Sequence, residues 1–259
     1  KPMIYYPLST LMLAGIQDIL IITTPKDKHL FEELLGDGHK LGIKIEYRTQ
    51  TKPSGIAEAL LIGEDFIDKH PSALILGDNI FYGNDLRHKL HLASMEEHAA
   101  TVFLHQTNNP KQFGVAEVDQ DFNVTSIEEK PEKPKSDYAV TGLYFYDKHA
   151  SELVRELSPS SRGELEITDL NNVYVKQGKL YGKVLGRGYS WFDAGTFESL
   201  IEVNQFIKII EEQQTQKVAC LEEIAFLMGN ITSHQLIEIA MRQANPSMTE
   251  YLVKISQEA

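Results

Sequence analysis

Apolar and polar positions along residues 1–105 fall into short alternating blocks. Apolar runs at 18–23 (DILIIT), 43–48 (IKIEYR), 73–77 (ALILG) and 99–105 (AATVFLH) have strand length. The segments between them, 26–35, 55–69 and 84–98, read as helices, and YYPLSTLMLAGI near the start reads as another. Strands alternating with helices predict βαβ units, hence an α/β fold with a mainly parallel sheet and helices on both faces. Ala73 to Leu76 carry no polar side chain, and the spacing predicts a strand buried on both faces.

Beyond about residue 110 the pattern changes. GVAEV (114–118), NVTSIEEK (123–130) and YAVTGLYFYD (138–147) alternate and are separated by Asn, Asp and Pro-Lys turns. They read as antiparallel or mixed strands inserted after the parallel core. Helices follow at 148–157 and 165–177, then strands at 180–185 and 189–192. From Thr196 onward the chain reads as helical. Phe197, Leu200, Val203, Ile207 and Ile210 recur every three or four residues, and Gly229 and Pro246 separate shorter helices behind them. The expected division is a core over 1–195, with the insertion at about 110–190, and a helical region over 196–259.

Hydrophobic residues make up 42% and charged residues 24% of the 259, globular values that exclude a disordered chain. A formal net charge of −12 argues against a nucleic-acid partner, which needs a basic stripe. It leaves room for a small phosphorylated substrate, which needs only a few local cations. No apolar stretch approaches the roughly 20 residues that span a bilayer, so no membrane partner is expected. Cys220 is the single cysteine, which rules out a disulfide within these residues and points to a reducing, cytoplasmic setting.

Asp78 and Asp193 each end a short apolar strand, in LGDNIFYG and GYSWFDAGT. Ligands of open α/β sheets sit beyond the carboxyl ends of the strands, where these residues are expected. Two such carboxylates can hold Mg²⁺, which favours one or two carboxylates together with substrate phosphates. The plainer alternative makes Asp193 a helix cap and Asp78 a turn former. In SIEEKPEKPKS, Lys130 at a strand end could meet a phosphate and Glu129 could accept from sugar hydroxyls; the alternative is a solvated loop. In RTQTKPSGIAEAL, Gln50 offers a donor and an acceptor suited to a pyrimidine edge, and Gly55 permits close backbone approach. A plain helix-entry turn explains the same residues. There is no G-x-G-x-x-G and no Walker A sequence. His88 and His91 lie one helical turn apart without an evident third ligand and read as a solvated face. Cys220 has no neighbouring histidine and is not expected to be a reactive thiol.

Taken together, KPMIYYPLSTLMLAGI, LGDNIFYG, EEKPEKPKS-YAVTGLYFYD, RGELEITD and GYSWFDAGT resemble the glucose-1-phosphate thymidylyltransferase family over nearly the whole chain. The resemblance implies a Rossmann-like, glycosyltransferase-A-like nucleotidyltransferase fold with a sugar-binding β insertion. It implies that dTTP and glucose 1-phosphate give dTDP-glucose and pyrophosphate by in-line attack, without a covalent intermediate. It makes Asp78 and Asp193 Mg²⁺ ligands, and Gln50 and Gly55 nucleotide contacts. Asn79, Gly114, Glu129, Lys130 and Val140 become holders of the sugar phosphate, with Arg162 and Trp191 bordering the sugar, and Asp78, Lys130 and Asp193 the catalytic set. A homotetramer joined through the C-terminal helices, including Phe226, Leu227 and Met228, is implied too. Phe113 stands where the family usually has tyrosine. A strand, a G-G-x-G-T-R-L loop that cradles the triphosphate and a lysine are implied ahead of KPMIYYP. Residues 1–259 contain none of them, so the expectation is an N-terminally incomplete, catalytically impaired chain whose sheet is one strand short. Two alternatives stand beside this reading: uridylyl or other nucleotide specificity, and a sugar-nucleotide-binding module that does not catalyse.

Overall fold

A computed structural model describes residues 1–96 and 98–258. Helix α1 (Tyr5–Leu13) leads into β1 (Asp18–Thr23), α2 (Lys28–Leu35) and β2 (Lys44–Thr49). Short helices α3 (Glu58–Ile62) and α4 (Glu64–Ile67) precede β3 (Ser72–Ile75), β4 (Asn79–Gly83), α5 (Leu86–Ser94) and β5 (Ala100–Gln106). Then come β6 (Gly114–Val118), β7 (Val124–Glu129), β8 (Tyr138–Tyr146), α6 (Ala150–Arg155), α7 (Ile167–Lys176), β9 (Leu180–Leu185) and β10 (Tyr189–Asp193). Helices α8 (Phe197–Gln214), α9 (Leu221–Leu227), α10 (Ser233–Met241) and α11 (Pro246–Glu258) complete the chain.

The α/β alternation of the first half is present, but the large sheet is mixed. Strands β5 and β9 run parallel, whereas β8 runs antiparallel to β3, β5 and β6. The nine residues of β8 are the hub. Along one edge they pair with β5; along the other, Ala139 meets Val115 of β6 and residues 143–146 meet β3. The change of partner leaves a fork at Val140–Gly142, where Leu76 N donates to Gly142 O at 2.9 Å. Strand β4 leaves this sheet and pairs antiparallel with β10, which sets Asn79 opposite Asp193.

The helix predicted over 55–69 is broken into α3 and α4 at Gly63. The segment 79–83, unassigned between the strand expected at 73–77 and the helix expected at 84–98, is strand β4, whose partner β10 lies more than a hundred residues away in the sequence. Strand β3 is only half buried along its whole length, not enclosed on both faces. The reason is a gap in the sheet. Among the described residues, strand β1 pairs only with β2 and β3 only with β8, so each keeps an unpaired edge. Both strands line one cavity of about 950 Å³, closed by Leu60 and Ile67 from one side and Leu11 and Ala93 from others. The buried Ser72 hydroxyl, on the same cavity, has no hydrogen-bond partner.

Packing follows the two halves of the sheet. Val102, Leu104, Tyr144, Leu170 and Tyr174 build the core beneath β5 and β8. Ile19, Ile21 and Ile45 of β1 and β2 pack instead on Met12, Ile224, Leu236 and Leu252, so the C-terminal helices cover the smaller sheet. Phe226 and Met228 join that core, while Leu227 faces solvent. No described helix is long and apolar enough to cross a membrane.

Candidate active site

Two strand ends bring the acidic pair together. Asp78 follows β3, and Asp193 ends β10, which the ladder to β4 holds in place; Ala194 N donates to the Asp78 carbonyl at 2.9 Å. Asp193 Oδ1 lies 2.9 Å, and Asp78 Oδ2 3.3 Å, from the point a Cβ on Gly195 would occupy. The two oxygens are therefore separated by no more than those distances laid end to end, about 6.2 Å. Burial, and secondly the Asp78 charge, raise the Asp193 carboxyl above its usual range; the Gly195 amide and Lys130 offset part of this. Two carboxylates that repel each other in a half-buried place are chemically suited to a divalent cation. Mg²⁺ favours one or two carboxylates together with substrate phosphates, the donor set that Asp78 and Asp193 would offer. The residues present fit the ion.

Of the two plainer roles, one is found: Gly77 and Asp78 form a turn, with Asn79 N donating to Leu76 O at 3.2 Å. The cap of α8 is Thr196, whose side chain accepts from Ser199 N at 3.1 Å, with Thr196 N donating back to Ser199 Oγ at 3.1 Å. Asp193 is thus not the cap. The Asp78 carboxylate is held by its neighbour, Asn79 Nδ2 donating to Oδ1 at 2.9 Å.

Asn79 is fully buried and organises the floor. Its Oδ1 accepts from Trp191 Nε1 at 2.7 Å and from Gly142 N at 2.9 Å, while its Nδ2 turns to Asp78. The expected sugar-phosphate contact of Asn79 therefore has only its remaining amide hydrogen to work with. Phe113, at the position where tyrosine was anticipated, packs edge-on against Trp191 with centroids 4.9 Å apart, in an otherwise apolar cluster with Phe103 and Leu143.

Glu129 and Lys130 lie at the end of β7, beside Gly114 at the start of β6. Glu129 Oε2 accepts from Thr168 Oγ1 at 2.6 Å. Lys130 sits at φ 44°, a left-handed conformation uncommon for a residue with a side chain, and its amide donates to Phe113 O at 3.1 Å. Such local strain concentrates at functional sites. The Lys130 charge is the last of the influences on the Asp193 carboxyl and lowers it. Val140 is buried at the fork in β8. Arg162 is already engaged: both oxygens of Glu166 accept from its Nη2 at 2.9 Å, and Glu164 lies 3.6 Å away.

Gln50 follows β2. Its Nε2 donates to Gly55 O at 3.0 Å and to Glu58 Oε2 at 2.6 Å, which leaves Oε1 as the free end of the amide. Gly55 has φ 104°, and a Cβ there would run into the Leu165 carbonyl oxygen. The close approach that needs glycine is to the chain's own segment, where Ala57 N donates to Leu165 O at 3.2 Å. Gln50, Gly55 and Gly77 all border the cavity between β1 and β3, so the nucleotide candidates stand at one end of that gap.

Sequence reasoning overlooked Thr168, Glu58 and Gly195. Thr168 stood in a motif already picked out, RGELEITD, but a threonine on a helix carries no signal of the carboxylate it will meet. His88 and His91 are exposed on α5. Burial, and secondly Glu222, push the Cys220 thiol up to about 12, which keeps it protonated and unreactive.

Residues 1–209 match the family model for nucleotidyl transferases. The chain is 51% identical over 255 residues to glucose-1-phosphate thymidylyltransferase of Neisseria meningitidis, covering 98% of this chain and 88% of that protein. It is 52% identical over 257 residues to the enzyme of the same name from Xanthomonas campestris, covering 99% and 87%. A Bacillus anthracis crystal structure in complex with a sucrose superposes with a TM-score of 0.72 at 41% identity, covering 79% of this chain and 82% of that one. Identity of this level over this length shows the family: the chain belongs to the glucose-1-phosphate thymidylyltransferase family of nucleotidyl transferases.

Proposed function

We propose that the protein transfers a thymidylyl group from dTTP to glucose 1-phosphate, giving dTDP-glucose and pyrophosphate. The observation that carries this is the meeting of Asp78 and Asp193 at the rim of the sheet, with Lys130 beside them, in a chain about 50% identical to enzymes named for that reaction. A sugar-phosphate oxygen attacks the α-phosphorus as the bond to pyrophosphate breaks, and the electron pair leaves with pyrophosphate. The reacting groups are all anionic, so catalysis consists of positioning and charge neutralisation.

Asp78 and Asp193 hold Mg²⁺, which when bound neutralises charge on the reacting phosphates. Lys130 adds a fixed positive charge to the sugar phosphate. Glu129, oriented by Thr168, accepts from sugar hydroxyls, and Trp191 with Phe113 gives the ring an apolar wall. Gln50 presents an oxygen, its nitrogen being tied to Gly55 and Glu58, and an oxygen is what accepts the N3–H of thymine. Uracil has the same N3–H, so the amide alone does not select between the two bases.

Titration with dTDP-glucose, with and without Mg²⁺, tests the reading. Binding strengthened by the metal and lost in Asp193→Asn supports it. Binding indifferent to both identifies a module that does not catalyse, and no binding overturns the assignment. Pyrophosphate release from dTTP, UTP and ATP in parallel assigns the base.

The same reading includes a homotetramer in a reducing, cytoplasmic setting. Its support is Phe197 at 76% and Ile201 at 47% exposure, one turn apart on α8, and the single buried cysteine. Light scattering that gives a monodisperse monomer would refute the assembly.

A further inference from the structure

We propose that Gly195 is a positioning residue whose missing side chain keeps open the gap between Asp78 and Asp193 in which the divalent cation sits. The inference rests on the reading of those carboxylates as the metal site.

Backbone conformation does not call for glycine at 195. Its φ lies outside the left-handed range that other residues avoid, unlike that of Gly55. Apart from its two chain neighbours, the described residues bring only two heavy atoms within 4 Å of an added Cβ, both carboxylate oxygens: Asp193 Oδ1 at 2.9 Å and Asp78 Oδ2 at 3.3 Å. A methyl group there would occupy the space that both carboxylates face. It would also exclude water from charges that have no cation of the chain bonded to them.

The surroundings give little freedom to yield. Gly195 N donates to Asp193 Oδ1 at 3.0 Å, and the next residue is fixed by the Thr196–Ser199 cap. Asp193 is held by its pairing with Asn79, and the Asp78 backbone by Ala194 N. With all three backbones tied, an added methyl is accommodated by rotating the carboxylates apart, which unmakes the pair.

Stability and metal binding therefore move differently in Gly195→Ala. At a conformation open to all residues, this change tends to stabilise by restricting the unfolded chain. The expected result is an unfolding temperature close to that of the wild type, with affinity for Mn²⁺, read from the electron paramagnetic resonance signal of the free ion, at least tenfold weaker. Unaltered Mn²⁺ affinity in a folded Gly195→Ala protein overturns the inference. Asp193→Asn is measured alongside. If it binds Mn²⁺ as the wild type does, the metal-site reading fails, and the role of Gly195 fails with it. Should Gly195→Ala not fold, the change is repeated in an Asp193→Ala background, which removes the nearer oxygen. Recovery of folding there supports the steric account; continued failure shows that the main chain needs glycine and overturns it.

Discussion

Trp191 Nε1 donates to Asn79 Oδ1 at 2.7 Å, a bond between the paired strands β10 and β4 that joins the sugar wall to the residue holding Asp78. Asn79 Oδ1 also serves Gly142 N at the fork in β8. One buried amide thus ties three segments together. Asn79→Ala leaves two buried donors without an acceptor, each worth about 1–3 kcal/mol. Thermal unfolding should show a loss of at least about 2 kcal/mol for Asn79→Ala, against about 1 kcal/mol for Trp191→Phe, which removes a single donor and keeps a ring.

Asp193 predicts a stability that changes with pH in an unusual direction. Its carboxyl is raised above 3.8, chiefly by burial and then by Asp78, so the folded chain binds this proton more readily than the unfolded one. Stability from this group is therefore greatest at acid pH and is lost as pH rises from the unfolded value through the folded one. Asp193→Asn removes the loss and can keep the bond from Gly195 N through its own Oδ1. Melting curves from pH 4 to 8 should show the variant gaining on the wild type as pH rises, then holding a constant lead. A lead that shrinks with rising pH would contradict the assignment. Divalent cation affinity should move the opposite way, absent in the variant and falling in the wild type as acid protonates Asp193.

The buried Asp147 depends on a phenol. Tyr174 Oη donates to Asp147 Oδ1 at 2.7 Å, and His149 N donates to the same oxygen at 2.9 Å. Tyr174→Phe removes one of these donors from a carboxylate only 4% exposed, and a loss of about 2–3 kcal/mol follows for a hydrogen bond to a charged group. In a chain of this size that lowers the melting temperature by about 4–10 °C. A loss near zero would mean that Asp147 is satisfied in some other way.

Gly55→Ala tests the junction beneath Gln50. Both the φ of 104° and the Leu165 backbone oppose a side chain there. The substitution should destabilise by about 1–3 kcal/mol and loosen the bond from Gln50 Nε2 to Gly55 O, with nucleotide binding weakened before sugar-phosphate binding. Separate titrations with dTTP and glucose 1-phosphate read that order.

Elements whose cause is local were legible in the sequence. The α8 stripe, β1, β2 and β5 follow from periodicity, and Asp78 and Asp193 could be placed at strand ends because apolar runs stop there. What escaped depends on distant partners. Strand β4 pairs with β10, more than a hundred residues away, and a run as short as NIFYG does not announce that partner. The half-exposure of β3 reflects a missing neighbour, which its composition does not reveal. Likewise Gln50 and Arg162 were read as free to meet a ligand, yet Glu58 and Glu166 hold their nitrogens. A side chain's competitors within its own fold are invisible until the chain is folded. Phe113 is the reverse case: the hydroxyl missing at this position coincides with an apolar setting against Trp191 that does not demand one.

The unpaired edges of β1 and β3 divide the molecule along a seam. Gln50, which the proposed function sets against the base, follows the β1–β2 piece, and Asp78, which it sets against the phosphates, follows β3 of the piece built on β8. No ladder of backbone hydrogen bonds joins these two sheet fragments among the described residues. Under the proposed function, the width of this seam would set the span between the base and the reacting phosphates. Nucleotide fidelity and the speed of the chemistry would then share one mechanical coordinate.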